Sequence, residues 1–362
     1  MMIKLEDVKT LLEQTDDHIL TLYLNVDNSA QENQAANPAW RVSAKNALRN
    51  LHKNTENADS ALPEMIEANV QSYLNDYQPR SKGLLIFAGT TFQQVYELPL
   101  RFENQAAFGK PYLTPLLSAM DEYEPYLVVV VDQESASFYI SYLGELGFQE
   151  SMEIDLKDYD FQQKTLMPSA SAVTGGHGLT QGSNREAYER MVDEHRNRFY
   201  REVVEATQKL LADRSDIRRV ILGGSEQTAH TVQHMMPDAL KAQVVKVISI
   251  PRHYAVTEIF QHVLSSALEA EREYELNLVD QVIDFARSRG RGALGEEAVT
   301  TALDMQQVEL LLLSWPPAKP DLCENLAFRA LQLNSRIELV HGEAASRLSA
   351  EGGVAARLYY AM

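Results

Sequence analysis

Apolar residues along this chain alternate between two spacings, a helical one near 3.6 and a strand-like one of 2, and the switches between them predict an α/β protein. Leu5, Val8, Leu11 and Leu12 recur at helical spacing over Ile3–Leu12, and Ile19–Val26 follows as a strand. Residues 28–39 are rich in Asn, Gln, Ala and Ser and read as a loop, after which Trp40–His52 and Leu62–Tyr77 are amphipathic helices. Gly83–Ala88 and Phe92–Leu98 flank Gly89, Thr90 and Thr91, the signature of a short hairpin.

A second unit begins with Tyr126–Val131, whose unbroken apolar run marks a strand covered on both faces. Ser137–Tyr142 and Phe148–Leu156 continue as strands, with Gly144 and Gly147 at the turn. Leu166–Asn184 carries no charged side chain and is rich in glycine, which predicts a long loop and therefore the first place to look for function. A strong helix over 184–212 follows, with Asn184 as its N-cap, and Val220–Leu222, a helix over Ser225–Met236 and Val244–Ile250 complete a strand-helix-strand pattern. The third unit opens with a long helix over Val256–Ser288, interrupted by the small basic loop Ser288–Gly292. A helix (Glu296–Asp304), a strand (Val308–Leu313), a helix (Asn325–Gln332), a strand (Arg336–Val340), a short helix (Ala344–Ser349) and a last strand (Val354–Tyr360) are expected after it. The expected architecture is three α/β domains: 1–121, 122–256 with the glycine-rich loop 166–184, and 257–362.

Composition is that of an ordinary globular protein, 45% hydrophobic and 23% charged, and the net charge of −18 argues against affinity for nucleic acid over the whole surface. That charge divides as −5, −6 and −7 over the three expected domains, so none is basic and a polyanion partner must be met locally. The single cysteine, Cys323, excludes an internal disulfide framework and fits a reducing compartment. Residues 1–14 are charged from Lys4 onward and the apolar runs are too short to span a bilayer, so a cytoplasmic protein is expected, with no membrane and no DNA partner.

Local basic chemistry is concentrated in two places. Arg185, Arg190, Arg196, Arg198 and Arg201 lie on the helix after the loop, interleaved with Glu186, Glu189, Asp193, Glu194, Glu202 and Glu205. The arginines suit phosphate contact, whereas the spacing of Arg190, Glu194 and Arg198 suits ion pairing within the helix. Arg287, Arg289 and Arg291, separated by small residues, form a second cluster. His230 and His234 stand at metal-ligand spacing but lack both a glutamate at 231 and an obvious third ligand, so no metal and no cofactor are expected. Gly223–Gln227 lacks the last glycine of a nucleophile elbow, and Gly176–Gly178 does not open a helix after a strand, so neither a hydrolase triad nor a dinucleotide fingerprint is supported.

Several of these stretches together resemble the archaeo-eukaryotic class 1 peptide-chain release factors, and more closely their bacterial relatives. Tyr126–Tyr142 looks like the start of that family's middle domain. Thr174–Gly178 followed by the helix Arg185–Tyr200 sits where the family has its catalytic Gly-Gly-Gln loop and basic helix. Glu297–Leu313 and Gly352–Tyr360 are similar to parts of its C-terminal domain. The chain departs from the pattern in having His177 after Gly175 and Gly176, in lacking the basic residues that flank the family's loop, and in lacking the Asn-Ile-Lys-Ser and Tyr/Cys motifs that read stop codons.

The resemblance implies a ribosomal A-site factor, with rRNA and P-site tRNA as partners and a GTPase translation factor as a candidate escort. It also implies that Gly175 and Gly176 let the backbone approach the peptidyl-tRNA ester while His177 positions water, with Gln181 a second candidate for the glutamine. Three functions stay open. The first is a factor that blocks the A site in hibernation or acts in rescue, favoured by the missing glutamine; the second is a codon-independent peptidyl-tRNA hydrolase; the third is a scaffold unrelated to ribosomes, favoured by the acidic surface.

Overall fold

The computed structural model describes residues 7–8, 10–11, 18–35, 37–54, 63–154, 181–251, 254–288 and 290–361. The described residues form three sheets divided between two compact units, one of residues 1–123 with 271–362 and the other of residues 124–270.

The first unit opens with β1 (Ile19–Asn25), the helices α1 (Ala39–Asn54) and α2 (Glu64–Asp76), and the strands β2 (Gly83–Ala88), β3 (Gln93–Leu98) and β4 (Gln105–Gly109). The strands pair antiparallel in the order β3-β2-β1-β4. Leu20, Leu22 and Leu24 of β1 point to one face, where Trp40, Ala44 and Leu48 of α1 and Ile66, Val70 and Leu74 of α2 cover them. Both helices therefore bury an i, i+4, i+8 stripe, which is why their periodicity is plain in the sequence. Beyond β1, Asp27 closes a local turn: its carboxylate accepts from Ser29 N at 2.8 Å and from Arg101 Nε at 2.6 Å.

The last helix of this stretch, α3 (Thr114–Glu122), was not signalled by periodicity, and the reason is its burial: Thr114 to Ala119 are all buried, so no polar face alternates with the apolar one. Strand β4 was missed too, because its sequence, Gln-Ala-Ala-Phe-Gly, is short and rich in small residues.

The second unit is a five-stranded sheet, ordered β7-β6-β5-β8-β9, built from β5 (Tyr126–Val131), β6 (Ser135–Tyr142), β7 (Glu145–Glu153), β8 (Arg219–Gly224) and β9 (Val244–Ser249). Strand β5 runs parallel to β8 and antiparallel to β6. Its helices are α4 (Gln181–Asp213), α5 (Glu226–Met235), the single turn α6 (Asp238–Lys241) and the first part of α7 (Val256–Arg287). Leu127, Val129 and Val131 meet Phe199, Val203 and Val204 of α4 and Ala229 and Val232 of α5. Tyr126 and Val128, on the opposite face, meet Ile259, Val263 and Ala267 of α7. The continuous apolar run of β5 follows from this double cover.

The boundary between the units falls within α7. The remainder of the first unit comprises β10 (Gly292–Leu294), α8 (Gly295–Asp304), β11 (Val308–Ser314), α9 (Pro320–Gln332), β12 (Arg336–Val340), α10 (Gly342–Ala350) and β13 (Val354–Leu358). Its sheet order is β10-β13-β11-β12, with β11 and β12 parallel and the other pairs antiparallel. Leu310 and Leu312 pack with Val279, Val282 and Ile283 of α7 and with Ala344 and Leu348 of α10. The expected basic loop Ser288–Gly292 ends earlier than its composition suggested, because Gly292 already pairs with Arg357 as the first residue of β10.

Helix α3 is joined to this second sheet by polar contacts across more than 200 residues of sequence. Glu324 of α9 accepts from Leu113 N at 2.7 Å, Thr114 N at 3.0 Å and Thr114 Oγ1 at 2.5 Å, giving α3 the N-terminal cap that no residue of its own supplies. Asp121 accepts from Leu339 N at 2.7 Å, and Glu122 pairs with Arg272.

Candidate functional site

In open α/β sheets the ends of the parallel strands are where loops gather and ligands are held. Here that end lies at Val131 of β5 and Gly224 of β8, which are register partners. Gly224 has φ +138°, and a side chain there would collide with the Val131 carbonyl oxygen, so the close approach of the two strand ends requires glycine. The chain then turns into α5, whose N-cap Ser225 accepts from Thr228 N at 3.2 Å and donates to Thr228 Oγ1 at 2.8 Å.

Helix α4 passes this edge with Arg196 and Tyr200. Arg196 donates to Gln133 Oε1 at 3.4 Å, in the turn after β5, and pairs with Asp193 at 3.3 Å. Tyr200 is 4% exposed; burial raises its hydroxyl pKa, offset in part by a hydrogen bond with Thr228 and by the Arg196 charge, while Asp132 adds to the rise. The phenol therefore stays protonated at physiological pH. At this edge Arg196 and Tyr200 tie α4 to the turn after β5 and to Thr228.

Residues 155–180 stand between β7 and α4 in sequence, and Ile154 N, just before them, bonds to Glu134 O at 2.8 Å in the turn after β5. Gly175, Gly176 and His177 lie outside the described residues. Gln181 is the first residue of α4, so the helix starts earlier than expected and Asn184 is not its N-cap. No proline stands between Gln181 and Asp213, and nothing in that run stops a helix propagating toward its N-terminus.

The arginines of α4 divide by face. At about 100° per residue, Arg190, Arg198 and Arg201 fall together on the outer side and Arg196 faces the sheet. All three outer arginines are exposed, and Glu194 and Glu205 lie among them, so the stripe alternates in sign as its spacing implied. Arg185 is on the same helix, and its side chain is not among those described. In the second basic cluster Arg287 pairs with Glu351 at 2.6 Å, Arg291 is exposed with its carbonyl bonded to Leu358 N, and Arg289 lies outside the described residues. His230 and His234 are exposed on α5, where His230 Nδ1 lies 3.2 Å from Gln233 Oε1. Among the described residues, no three His, Cys, Asp or Glu side chains are placed to hold a metal ion, and no helix is long and apolar enough to cross a membrane.

One constellation was not visible in the sequence at all. In the first unit Ser118 Oγ lies 3.1 Å from His341 Nε2, and His341 Nδ1 lies 3.0 Å from Glu275 Oε1. These are the distances of a serine-histidine-carboxylate relay. Ser118 is 4% exposed, Glu275 1% and His341 8%, and Glu275 also accepts from His341 N and pairs with Arg272. The group is a satisfied buried network joining α3, α7 and the end of β12, and its serine is closed to substrate.

A sheet with antiparallel and parallel halves, a long glycine-bearing connection and an arginine-bearing helix are thus found together in the second unit. Residues 111–272 match the model of bacterial archaeo-eukaryotic release factor family 10. The family-10 match takes in α3, every element of the second unit and α7 as far as Arg272; it includes Gly175, Gly176, His177, Gln181 and the five arginines of α4, and it excludes Arg289 and Arg291. The chain is also 26% identical over 210 residues to peptide chain release factor subunit 1 of Methanopyrus kandleri, covering 57% of this chain and 47% of that one. The protein of the same name from Picrophilus torridus is 23% identical over 266 residues, covering 68% of this chain and 60% of that one. The chain thus spans about half of the first relative and three fifths of the second. Among solved structures, Saccharomyces cerevisiae Dom34, a translation termination-like factor, aligns with 12% identity and a TM-score of 0.45 over 80% of this chain and 76% of that one.

Proposed function

We propose that this protein is a cytoplasmic, ribosome-associated translation factor that enters the A site and occupies it in hibernation or rescue. The observation that carries the reading is the family-10 match over 111–272, in which a glycine-rich segment is followed by an arginine-bearing helix. The physical logic is one of presentation. Phe199, Val203 and Val204 bind α4 firmly to the sheet, so the segment before it extends from a rigid support. Arg190, Arg198 and Arg201 offer phosphate contacts on the outer face of that support, to rRNA or to P-site tRNA.

The blocking role is favoured over hydrolysis by His177, which stands where the release-factor pattern has glutamine, and by the absence of flanking lysines and arginines. The hydrolytic reading draws on Gly175 and Gly176, whose backbone freedom would let a peptide N–H reach an oxyanion while His177 orients water. Peptide release from stalled ribosomal complexes separates the two. Blocking predicts no release above background and no change on replacing Gly175 and Gly176 by Ala. Release that falls by a hundredfold or more in the double variant would establish hydrolysis instead. A GTPase escort belongs to the same reading and is tested by adding the elongation-type GTPases to the binding reaction.

A further inference from the structure

Helix α1 carries a run of positive charge that the net charge of −5 over residues 1–121 conceals. Its 16 residues include Arg41, Lys45, Arg49 and Lys53 and no Asp or Glu, in a chain where 51 acidic residues stand against 33 basic ones. The four recur at every fourth position, a rise of about 6 Å per step, and Arg41, Lys45 and Arg49 fall within about 80° of arc. All three are exposed, and neither Lys45 nor Arg49 meets a carboxylate among the described residues. Arg41 donates to the carbonyls of Asn75 at 3.2 Å and Tyr77 at 3.5 Å, and its guanidinium lies 5.0 Å from the centre of the Trp40 ring, so the head of the row is held in place.

A helix face that only meets water ordinarily mixes its signs, as the outer face of α4 does. On α1 each successive pair along the row is a like-charge pair at i, i+4 and repels. Arg41 also stands in the first turn, at the positive end of the helix dipole. The helix tolerates both because Trp40, Ala44 and Leu48 anchor it to the sheet. A row of like charge kept against these local preferences fits a partner of opposite charge. The same anchoring narrows the partner. The apolar stripe is used up in the core, and Val42 is the one large apolar side chain exposed on the described part of α1, so no face is left to enter a membrane. Beside the basic row run Asn46 and Asn50, both exposed, whose amides can donate to and accept from hydroxyls.

We infer that this face of α1 docks along the sugar-phosphate backbone of double-helical RNA. Arg41, Lys45 and Arg49 meet successive phosphates of one strand, whose regular spacing suits charges fixed on a rigid rod, and Asn46 and Asn50 reach ribose 2′-hydroxyls. An acidic polypeptide offers carboxylates but neither a regular row of them nor hydroxyls for the amides. The inference stands apart from the A-site reading, since it concerns α1 alone and any RNA helix.

The test is fluorescence anisotropy of a labelled RNA hairpin of mixed sequence with the full chain, between about 50 and 200 mM salt. Lys45→Gln with Arg49→Gln removes two exposed charges and leaves Arg41 and the apolar stripe intact. This pair should weaken binding by tenfold or more at low salt and lower the slope of log affinity against log salt by about 2. Arg218→Gln with Arg336→Gln changes the net charge equally at exposed positions outside α1, and should bind within twofold of the unsubstituted chain. A DNA hairpin of the same sequence should bind more weakly. Equal losses in the two double variants, equal affinity for the DNA hairpin, no binding by the unsubstituted chain, or displacement by poly-glutamate as effective, charge for charge, as by unlabelled hairpin would overturn the inference. Because the probe is free RNA and α4 is unchanged, that failure is distinct from a failure to bind ribosomes.

Discussion

Asp27 shows how much a single side chain contributes when its partners are already in place. Burial alone would raise its pKa, but the Ser29 hydroxyl and N–H and the Arg101 guanidinium outweigh it and bring the carboxyl down to about 2. A carboxyl lowered on folding stabilises the native state above its ordinary pKa, and that stability is lost as the pH falls through the native value. Asp27→Asn should therefore lower stability above about pH 4, with the deficit against the unsubstituted chain shrinking as the pH falls toward 2, so that the acid limb of the unfolding curve is flatter. Glu324 is shifted the other way: burial raises its pKa although Thr114 and the Leu113 and Thr114 amides hold it. Its favourable linkage lies at low pH and fades as the pH rises through the raised value, so at neutrality its worth is that of three satisfied donors. Glu324→Ala should cost about 2–3 kcal/mol in chemical denaturation, because buried N–H groups lose their acceptor. Beside it, burial and the Glu324 charge push the Cys323 thiol up to about 11. Cys323 should accordingly resist thiol reagents in the native protein and react at once after denaturation, a difference readable by absorbance.

At the scale of elements, the stripes that face a single partner were legible in the sequence and the elements buried all round were not. Helices α1 and α2 each expose one side, so Trp40, Ala44 and Leu48, and Ile66, Val70 and Leu74, announced them. Strand β5 declared itself by length of apolar run. Helix α3 left no period to read, and the Glu324 cap that starts it comes from 210 positions away, beyond any local signal. The same limit applies to sites: the arginines of α4 were visible as residues, but their division into an outer set and Arg196 needed the helix and sheet together. Helix α4 is also where stability and presentation can be told apart. Phe199→Ala should lower stability by about 3–5 kcal/mol, since it empties the core between helix and sheet. Replacing Arg190, Arg198 and Arg201 together by Gln should leave stability within about 0.5 kcal/mol, as expected for exposed charges, and should weaken ribosome association by tenfold or more.

For the molecule as a whole, a net charge of −18 means that the proposed binding to rRNA would proceed against a long-range repulsion. Few phosphates can be neutralised by the exposed arginines described, so the salt dependence of association should be shallow compared with that of basic RNA-binding proteins. Shape and local contact must then supply the affinity, through a second unit that carries α4 on a doubly covered sheet and a first unit whose parts are tied by Glu324, Asp121 and Glu122. The most direct measurement is sedimentation of the full chain with purified ribosomes at low salt, with and without A-site tRNA. The account predicts saturable co-sedimentation that A-site tRNA displaces and that the triple arginine variant weakens. A protein that stays in the supernatant with ribosomes from both growing and starved cells would contradict it.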